Sequence, residues 1–295
     1  MIKKIVLAII GILFLAVVGL GGFAYYKLNT TITKIQTSSD KTQTSDTATN
    51  AGKPVAYLLL GTDTGELGRD YKGRTDSMMV AIANPKTKQS YLISIPRDTA
   101  IDYNGTTIKI NAAYAYGSAD SAVSAVENLL NIKLNGYALV NMGGVEKLVD
   151  AVGGVTVTSP LTFTYEGASF VEGQSYDLDG ATALKFSRMR YDDPRGDYGR
   201  QERQRLILAA IAKKATNVNS LFNTELMNSL SENVLTDISV NSMKNLALKY
   251  RTTFGNMKSD HLQGTTQTIN NSSMEVMDST EIQRVHDEIT AAMAE

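Results

Sequence analysis

Residues 5–24 form an uncharged run that is almost entirely aliphatic or glycine, and this run limits the fold more than any other feature of the sequence. About twenty residues rise roughly 30 Å as an α-helix, which matches the hydrocarbon core of a bilayer. Residues 25–27 follow as Tyr-Tyr-Lys, a combination typical of the membrane interface. A cleaved signal peptide is the alternative, but the run is long for one and no A-x-A site follows it. The sequence therefore predicts one transmembrane anchor over residues 5–26.

This anchor divides the chain into a short cytoplasmic N-terminus, residues 1–4, and a long region outside the cytoplasm. Residues 27–53 are rich in Ser, Thr, Asp and Lys and poor in apolar residues, which predicts a flexible linker. A folded domain is expected over residues 54–295. The predicted location is the cell membrane, with the domain on the extracytoplasmic side, where ATP is not in ready supply.

The composition excludes several kinds of site. The chain has no cysteine, which rules out thiol catalysis, disulfides and cysteine-bound zinc. Its two histidines, His261 and His286, lie among polar residues near the C-terminus and are expected at ordinary surface positions. The net charge of −1 gives no indication of a nucleic-acid partner.

The order of the predicted elements favours an α/β fold. Hydrophobic residues make up 43% of the chain, which is enough for a sizeable core. Strands are predicted over residues 55–60, 77–83, 89–95, 137–141, 155–158 and 183–190 and near 266–276, and helices over 112–130, 145–152 and 200–214. This irregular alternation predicts a single domain with a mixed central β-sheet and helices on both faces.

The first three predicted strands bring charged residues to one place. The connection over residues 84–88 is short, so the second and third strands are expected to pair as a hairpin. In an antiparallel meander, the end of the first strand, the start of the second and the end of the third share one edge of the sheet. Five charged residues occupy these positions: Asp63, Arg74, Asp76, Arg97 and Asp98. Their convergence from three segments indicates a functional site.

Asp63 and Asp76 are the candidate metal ligands at this edge. Hard carboxylate oxygens suit Mg²⁺ or Mn²⁺, and Mg²⁺ often takes one or two carboxylates together with substrate phosphates. The alternative is a pair of exposed loop aspartates, one of which caps a turn. The arginines beside them favour the metal.

Residues 183–190 are predicted as a strand in which Leu184, Phe186, Arg188 and Arg190 share one face. The two arginines are then expected about 6.6 Å apart along the strand. That spacing suits two guanidinium groups that bind neighbouring phosphates. The alternative is an edge strand whose arginines are solvated.

The helix that follows places Arg200, Gln204, Ile207 and Ile211 in one stripe, polar at its first turn and apolar beyond it. Polar groups on an otherwise buried stripe often line a pocket. Asp197 precedes the stripe and is expected either to cap this helix or to brace an arginine.

The sequence says less about the positions of three further arginines in this segment. Arg203 and Arg205 are predicted to be solvated. Arg195 is compatible with either a solvated position or the site.

Several motifs in order resemble those of the LytR-CpsA-Psr family of cell-envelope phosphotransferases. They read LLLGTDTG from Leu58, GRTDSMMVA from Gly73, SIPRDT from Ser94, KINAAYAYG from Lys109, LVDAVGGVTV from Leu148, LDGATALKFSRMRYDD from Leu178 and GDYGRQERQ from Gly196. The resemblance covers roughly residues 55–215 and departs from the family at Gly117-Ser118, where a glycine pair is expected. Residues 216–295 carry no diagnostic motif.

The resemblance implies transfer of a phosphorylated glycan from a polyprenyl-diphosphate carrier to peptidoglycan, with release of polyprenyl phosphate. It implies Mg²⁺ held by Asp63 and Asp76, and a hydrophobic tunnel for the prenyl tail between sheet and helices. Diphosphate binding is assigned to Arg74, Arg97, Arg188, Arg190, Arg200 and Gln204, supported by Asp197. The catalytic set on this reading is Arg97, Asp98, Arg188, Arg190 and Asp197.

Two other functions are compatible with the same residues. A polyprenyl-diphosphate hydrolase would use water as the acceptor, and a non-catalytic envelope protein would bind polymer or regulate. Carboxylates and arginines that share one edge favour catalysis, with Asp98 or Asp197 as the base. The sequence leaves open which glycan is transferred (teichoic acid, capsular polysaccharide or another wall polysaccharide) and the oligomeric state.

Overall fold

The computed structural model describes residues 41–62, 73–215 and 233–294. Its helices are α1 (Lys41–Ala51), α2 (Ala112–Tyr116), α3 (Ala119–Leu130), α4 (Met142–Ala151), α5 (Gly180–Arg188), α6 (Asp197–Ala215), α7 (Val240–Lys249) and α8 (Ser279–Ala292). Its strands are β1 (Val55–Thr62), β2 (Thr75–Asn84), β3 (Gln89–Ser94), β4 (Ala100–Tyr103), β5 (Thr106–Lys109), β6 (Tyr137–Asn141), β7 (Val155–Thr158), β8 (Phe163–Tyr165), β9 (Ala168–Phe170), β10 (Ser175–Leu178), β11 (Val234–Thr236), β12 (Met257–His261), β13 (Thr265–Ile269) and β14 (Ser272–Val276).

The central sheet has the strand order β11-β6-β1-β2-β3-β12. The β1–β2 and β2–β3 pairs are antiparallel, whereas β1–β6 and β3–β12 are parallel. The sheet is therefore mixed, and the predicted meander of the first three strands is confirmed. Small antiparallel hairpins, among them β4–β5, β8–β9 and β13–β14, surround this sheet.

Helices cover both faces of the sheet, as the sequence predicts. Alternate residues of the strands, such as Leu58 and Val80, pack with α3 and α8 on one face. On the other face, Val55 and Tyr57 pack with α1 and α7. Farther along that second face, α4, α5 and α6 lie over β1, β2 and β6, next to the edge where β1 ends and β2 begins.

Residues 183–190 are not a strand, which corrects the prediction. Helix α5 covers Gly180–Arg188, and Asp179 caps it by accepting a hydrogen bond from the backbone nitrogen of Thr182 at 2.8 Å. Gly180, Ala183, Phe186 and Ser187 are its buried residues, a helical spacing. The apolar residues fit both periods, and the capping aspartate decides between them.

Part of the predicted linker is helical. Helix α1 packs on α7, and its buried residues are Ser45 and Thr49 rather than aliphatic ones. Asp46 accepts a hydrogen bond from Ser242 Oγ at 2.7 Å, and Ser45 Oγ lies 2.6 Å from the hydroxyl oxygen of Tyr57. Hydrogen bonds therefore replace the apolar stripe that predicts a packed helix. Residues 27–40 of that linker lie outside the described residues.

Other boundaries differ by a few residues. The helix predicted over residues 112–130 is divided at Gly117-Ser118, where Ser118 forms a capping box for α3. The late strand near 266–276 is the hairpin β13–β14. The predicted anchor, residues 5–26, lies outside the described residues, and no helix in the described part of the chain is long and apolar enough to span a bilayer.

Candidate active site

An ion pair between Asp76 and Arg97 lies at the edge where β2 begins and β3 has ended. Arg97 Nη1 donates to Asp76 Oδ1, and both side chains are partly exposed, at 19% for Asp76 and 24% for Arg97. Burial opposes the charge of Arg97, but Asp76 and Asp197 outweigh it and raise the pKa of this arginine. Within the described residues, Arg97 Nε is buried and has no hydrogen-bond partner. This edge therefore holds a permanent cation beside a carboxylate.

Asp98 lies beside this pair. Its carboxylate forms an ion pair with Lys109, whose Nζ lies 2.8 Å from Oδ1, and Oδ2 lies 4.0 Å from Arg97 Nε. The backbone carbonyl of Asp98 accepts from the backbone nitrogen of Glu275, which ties the loop to β14. Lys109 was missed as a site residue, because its approach depends on how the hairpin β4–β5 folds back.

The first turn of α6 supplies a second group of charges. Asp197 Oδ1 accepts from Arg200 Nε at 3.0 Å and Nη2 at 2.7 Å, and Asp197 Oδ2 accepts from Gln201 Nε2 at 2.8 Å. Burial alone would raise the pKa of Asp197, but Arg200 and Gln201 lower it below its ordinary value. Arg200 Nη2 also donates to the backbone carbonyl of Asp76 at 3.1 Å. Of the two predicted roles, Asp197 therefore braces an arginine, and it is the first residue of the helix rather than its cap.

Arg188 and Arg190 follow from α5 rather than from a strand. Arg188 is the last residue of α5, and its charge acts on the nearby ring hydroxyl of Tyr165 in β8. Arg190 lies two residues later, with Nε 3.6 Å from Asp197 Oδ1. The segment after α5 therefore brings Arg190 to the braced carboxylate, and the predicted 6.6 Å strand spacing does not apply.

An apolar cavity of about 180 Å³ adjoins these charges on the second face of the sheet. Leu59, Met79, Val145, Leu184, Ile207 and Ile211 contribute to its walls. Its polar end contains Ser77, whose hydroxyl donates to Gln204 Oε1 at 2.9 Å. Gln204 is one turn beyond Arg200, so the predicted stripe of α6 is confirmed. A cationic rim therefore meets an apolar interior.

Comparison with known proteins decides the family. A sequence model of the LytR_cpsA_psr family matches residues 22–291. The chain belongs to the LytR_cpsA_psr family. It is 44% identical to the polyisoprenyl-teichoic acid–peptidoglycan teichoic acid transferase TagU of Enterococcus faecalis over 98% of this chain and 96% of that protein. It is 37% identical to TagU of Bacillus subtilis over 91% and 89%. The crystal structure of B. subtilis TagU aligns with a TM-score of 0.65 and 31% identity over 82% of this chain and 98% of that one.

In this LytR_cpsA_psr protein, the structure gathers most of the predicted site residues. Asp76, Arg97, Asp98, Arg190, Asp197, Arg200 and Gln204 lie along one edge and one helix end. Arg74 is exposed at the same edge, where its backbone carbonyl accepts from Thr62 Oγ1 at 3.4 Å. Asp63 lies outside the described residues. Among the residues the structure describes, no three acidic or histidine side chains are close enough together to hold a metal ion.

Arg203 and Arg205 are buried, which corrects the prediction that they are solvated. Arg203 is 0% exposed, and it donates to the carbonyl of Phe186 at 3.0 Å, to the carbonyl of Met189 and to Asp193. Arg205 is 6% exposed and donates to Ser94 Oγ at 2.7 Å. The acceptors of Arg203 lie on both sides of Arg190 in the chain, at residues 186, 189 and 193.

The two histidines are partly exposed. Burial and the charge of Arg205 lower the pKa of His261. His286 Nδ1 lies 2.9 Å from the carbonyl of Leu130.

Proposed function

We propose that this protein transfers a phosphorylated glycan from a polyprenyl-diphosphate carrier to peptidoglycan and releases polyprenyl phosphate. The observation that carries the proposal is an apolar cavity whose polar end, formed by Ser77 and Gln204, lies next to the group of Arg97, Arg190 and Arg200. A lipid diphosphate has the same two parts, an anionic head and an apolar tail. Teichoic acid is the first glycan to test, because the relative with 44% identity is named as a teichoic acid transferase.

Donor binding follows from this arrangement. The prenyl chain enters between the sheet and helices α4 to α6, where its burial is favourable. The diphosphate lies against Arg97, Arg190 and Arg200, which we call the arginine rim. Their guanidinium forks match phosphate oxygens. Arg74 and Arg188, at the border of this rim, complete the proposed diphosphate contacts, and Gln204 lies at the boundary between head and tail.

The reaction needs no nucleotide, because the diphosphate bond is already activated. An acceptor hydroxyl oxygen attacks the phosphorus on the glycan side, and the bond from that phosphorus to the bridging oxygen breaks. The bridging oxygen keeps the electron pair and leaves as polyprenyl phosphate. Arg97, Arg190 and Arg200 stabilise the charge that develops on the departing phosphate.

Asp98 is the proposed base that takes the proton of the acceptor hydroxyl. Asp197 is the weaker candidate, because Arg200 and Gln201 occupy both of its oxygens and lower its pKa. Asp98 is partly exposed, and Lys109 holds its carboxylate in place.

We further propose a divalent cation, Mg²⁺ or Mn²⁺, held by Asp76 and Asp63 together with substrate oxygens. The described residue, Asp76, fits this role, because its hard carboxylate oxygens are partly exposed beside the arginine rim. When bound, such a cation neutralises charge on the diphosphate. Residues 5–26 are proposed to anchor the domain at the membrane that carries the donor.

The test is an assay with full-length protein, a polyprenyl-diphosphate-linked teichoic acid precursor and soluble peptidoglycan strands, with both products measured by mass spectrometry. Wild type is expected to form acceptor-linked glycan and polyprenyl phosphate in equal amounts. Arg190→Ala is expected to lower kcat/KM about 10²-fold to 10³-fold. The matched control is Lys133→Ala, because Lys133 is 90% exposed and precedes β6 at the opposite edge of the sheet. Equal polyprenyl phosphate release without acceptor would identify a hydrolase, and no release would contradict catalysis.

A further inference from the structure

A second opening, which we call the hairpin groove, lies between strand β4 and helix α3 on the other side of the site edge. Its volume is about 790 Å³. The β4 wall includes Ile101, Asp102 and Tyr103, and the α3 wall includes Asp120, Ser124 and Asn128. Nothing in the proposed donor binding uses this opening.

The hairpin groove begins at the site. Ala100, its first lining residue, follows Asp98 by two positions and pairs with Lys109, whose Nζ binds the Asp98 carboxylate. The backbone nitrogen of Asn111, just before α2, donates to the carbonyl of Arg97 at 3.2 Å. The β4 wall and the residue that begins the α2–α3 segment are thus fixed to the loop that carries Arg97 and Asp98. A chain bound in the groove has one end next to these residues.

The lining of the groove has the mixed character that carbohydrates require. Tyr103 belongs to the lining, and its ring lies 6.2 Å from that of Tyr116, which stands next to the lining and is 63% exposed. Aromatic rings pack on the C–H faces of sugars and keep a polar hydroxyl for hydrogen bonds. Ser124 and Asn128 add hydroxyl and amide groups that donate and accept. Ile101 adds an apolar patch to the β4 wall.

The charge of the groove lining distinguishes between the two substrates, the anionic donor polymer and the acceptor glycan. Among the lining residues that the structure describes, two are aspartates, Asp102 and Asp120, and none is lysine or arginine. An anionic phosphate polymer is repelled by such a surface, whereas a neutral sugar chain is not. The arginine rim has the opposite preference. The donor polymer therefore belongs at the rim, and the groove suits an uncharged glycan.

We propose that the hairpin groove binds the glycan strand of the acceptor, a neutral β-linked N-acetylhexosamine chain, and leads its reactive hydroxyl to Asp98. This inference rests on the proposed function for the reaction but not for the binding. The four residues of β4 extend roughly 13 Å, which is enough for a short stretch of about two or three sugar rings.

Binding is tested directly with a β-1,4-linked N-acetylglucosamine tetramer and the full-length protein, by calorimetry or by chemical-shift changes. Wild type is expected to bind. Ser124→Trp, which fills the groove from an exposed position of α3, and Tyr116→Ala are each expected to weaken binding at least tenfold. Leu248→Ala is the control, because Leu248 is 60% exposed on α7. No binding by wild type, or unchanged binding by Ser124→Trp, would overturn the proposal.

Two further measurements separate the possible occupants and the two proposals. Displacement of the tetramer by poly(glycerol phosphate) would contradict the groove's assignment to the acceptor. In the transfer assay, Ser124→Trp is expected to raise the KM for peptidoglycan strands at least tenfold, with donor KM changed less than twofold. A rise in donor KM instead would assign the groove to the donor. If wild type turns over no donor, the proposed function fails, and tetramer binding alone still decides the groove.

Discussion

Arg200 and Arg203 lie three residues apart on α6 but occupy different environments. Arg200 pairs with Asp197, whose side chain is 16% exposed, and reaches the backbone of Asp76 at the site edge. Arg203 and its partner Asp193 are both 0% exposed. Arg203 also lies over the ring of Phe163, with its guanidinium carbon 5.1 Å from the ring centroid. Both arginine side chains are largely buried, at 7% exposed for Arg200 and 0% for Arg203, but the carboxylate that pairs with Arg200 is partly exposed whereas the one that pairs with Arg203 is enclosed by protein.

This difference teaches that one helix carries two separate tasks. Arg203 binds the carbonyls that end α5 and the carboxylate of the following loop, which fixes the segment carrying Arg190. Burial would raise the pKa of Asp193, but its hydrogen bonds and the charge of Arg203 lower it. Arg203 is therefore expected to act on stability and Arg200 on the reaction.

The largest effect is expected for Arg203→Ala. This change removes the buried cation that pairs with Asp193 and leaves that carboxylate with Arg195 alone, whose Nε lies 3.5 Å from Oδ1. The expected cost is about 3–5 kcal/mol in the free energy of unfolding. Urea unfolding measures it. The double variant Arg203→Met with Asp193→Leu removes both charges and is expected to recover at least half of the loss. If Arg203→Ala costs less than about 1 kcal/mol, the buried pair of Arg203 and Asp193 does not stabilise the fold as proposed.

Arg200→Ala is expected to affect the reaction more than the stability of the fold. Transfer kcat/KM falls about 10²-fold to 10³-fold, because a donor to the developing phosphate charge is lost. The free energy of unfolding falls by less than half of the loss for Arg203→Ala, because Asp197 keeps Gln201 and partial exposure. Steady-state kinetics measures the fall in kcat/KM, and urea unfolding of the same preparation measures the change in stability. Wild-type kcat/KM in this variant would remove Arg200 from the site.

A smaller effect is expected at Arg205, the third arginine of α6. Its hydrogen bond goes to the neutral hydroxyl of Ser94 rather than to a carboxylate. Ser94→Ala leaves a buried donor unsatisfied and is expected to cost about 1–2 kcal/mol, measured by urea unfolding. Ser175→Ala, at an exposed position of β10, is the control and stays within about 0.5 kcal/mol of wild type. A cost as large as that of Arg203→Ala would contradict the ranking by partner charge.

The smallest effect concerns pH. The pKa of Asp197 is lowered in the folded state, so its contribution to stability is present above its unfolded pKa of about 4 and disappears as the pH falls through the folded value. The stability difference between wild type and Asp197→Asn is therefore expected to be constant from pH 5 to pH 8 and to shrink below about pH 4. Urea midpoints across this range measure it. If the stability difference between the two proteins grows as the pH falls, the pKa of Asp197 is raised in the folded state rather than lowered.

Sequence reasoning located the site edge because it depends on local rules. Alternating apolar strands and one short connection were enough to bring Asp76, Arg97 and Asp98 together. The stripe of α6 was predicted because helical spacing alone places Gln204 one turn after Arg200.

The remaining features depend on contacts that are distant in sequence or on an overlooked cap. The burial of Arg203 requires Asp193 and Phe163, which no pattern in α6 reveals. Helix α1 was missed because its buried side chains are hydroxyls that pair with α7. Helix α5 was missed because its apolar residues fit two periods, although Asp179 was a readable capping signal.

In the proposed function, the arginine rim and the apolar cavity together hold a lipid-linked phosphate. Mass spectrometry of lipid that copurifies with the full-length protein from the cells that produce it tests this most directly. We expect a polyprenyl phosphate or diphosphate with wild type, and at least tenfold less with Arg200→Ala and with Leu184→Trp, which fills the cavity. Equal amounts in all three proteins, or a bound lipid without phosphate, would contradict it.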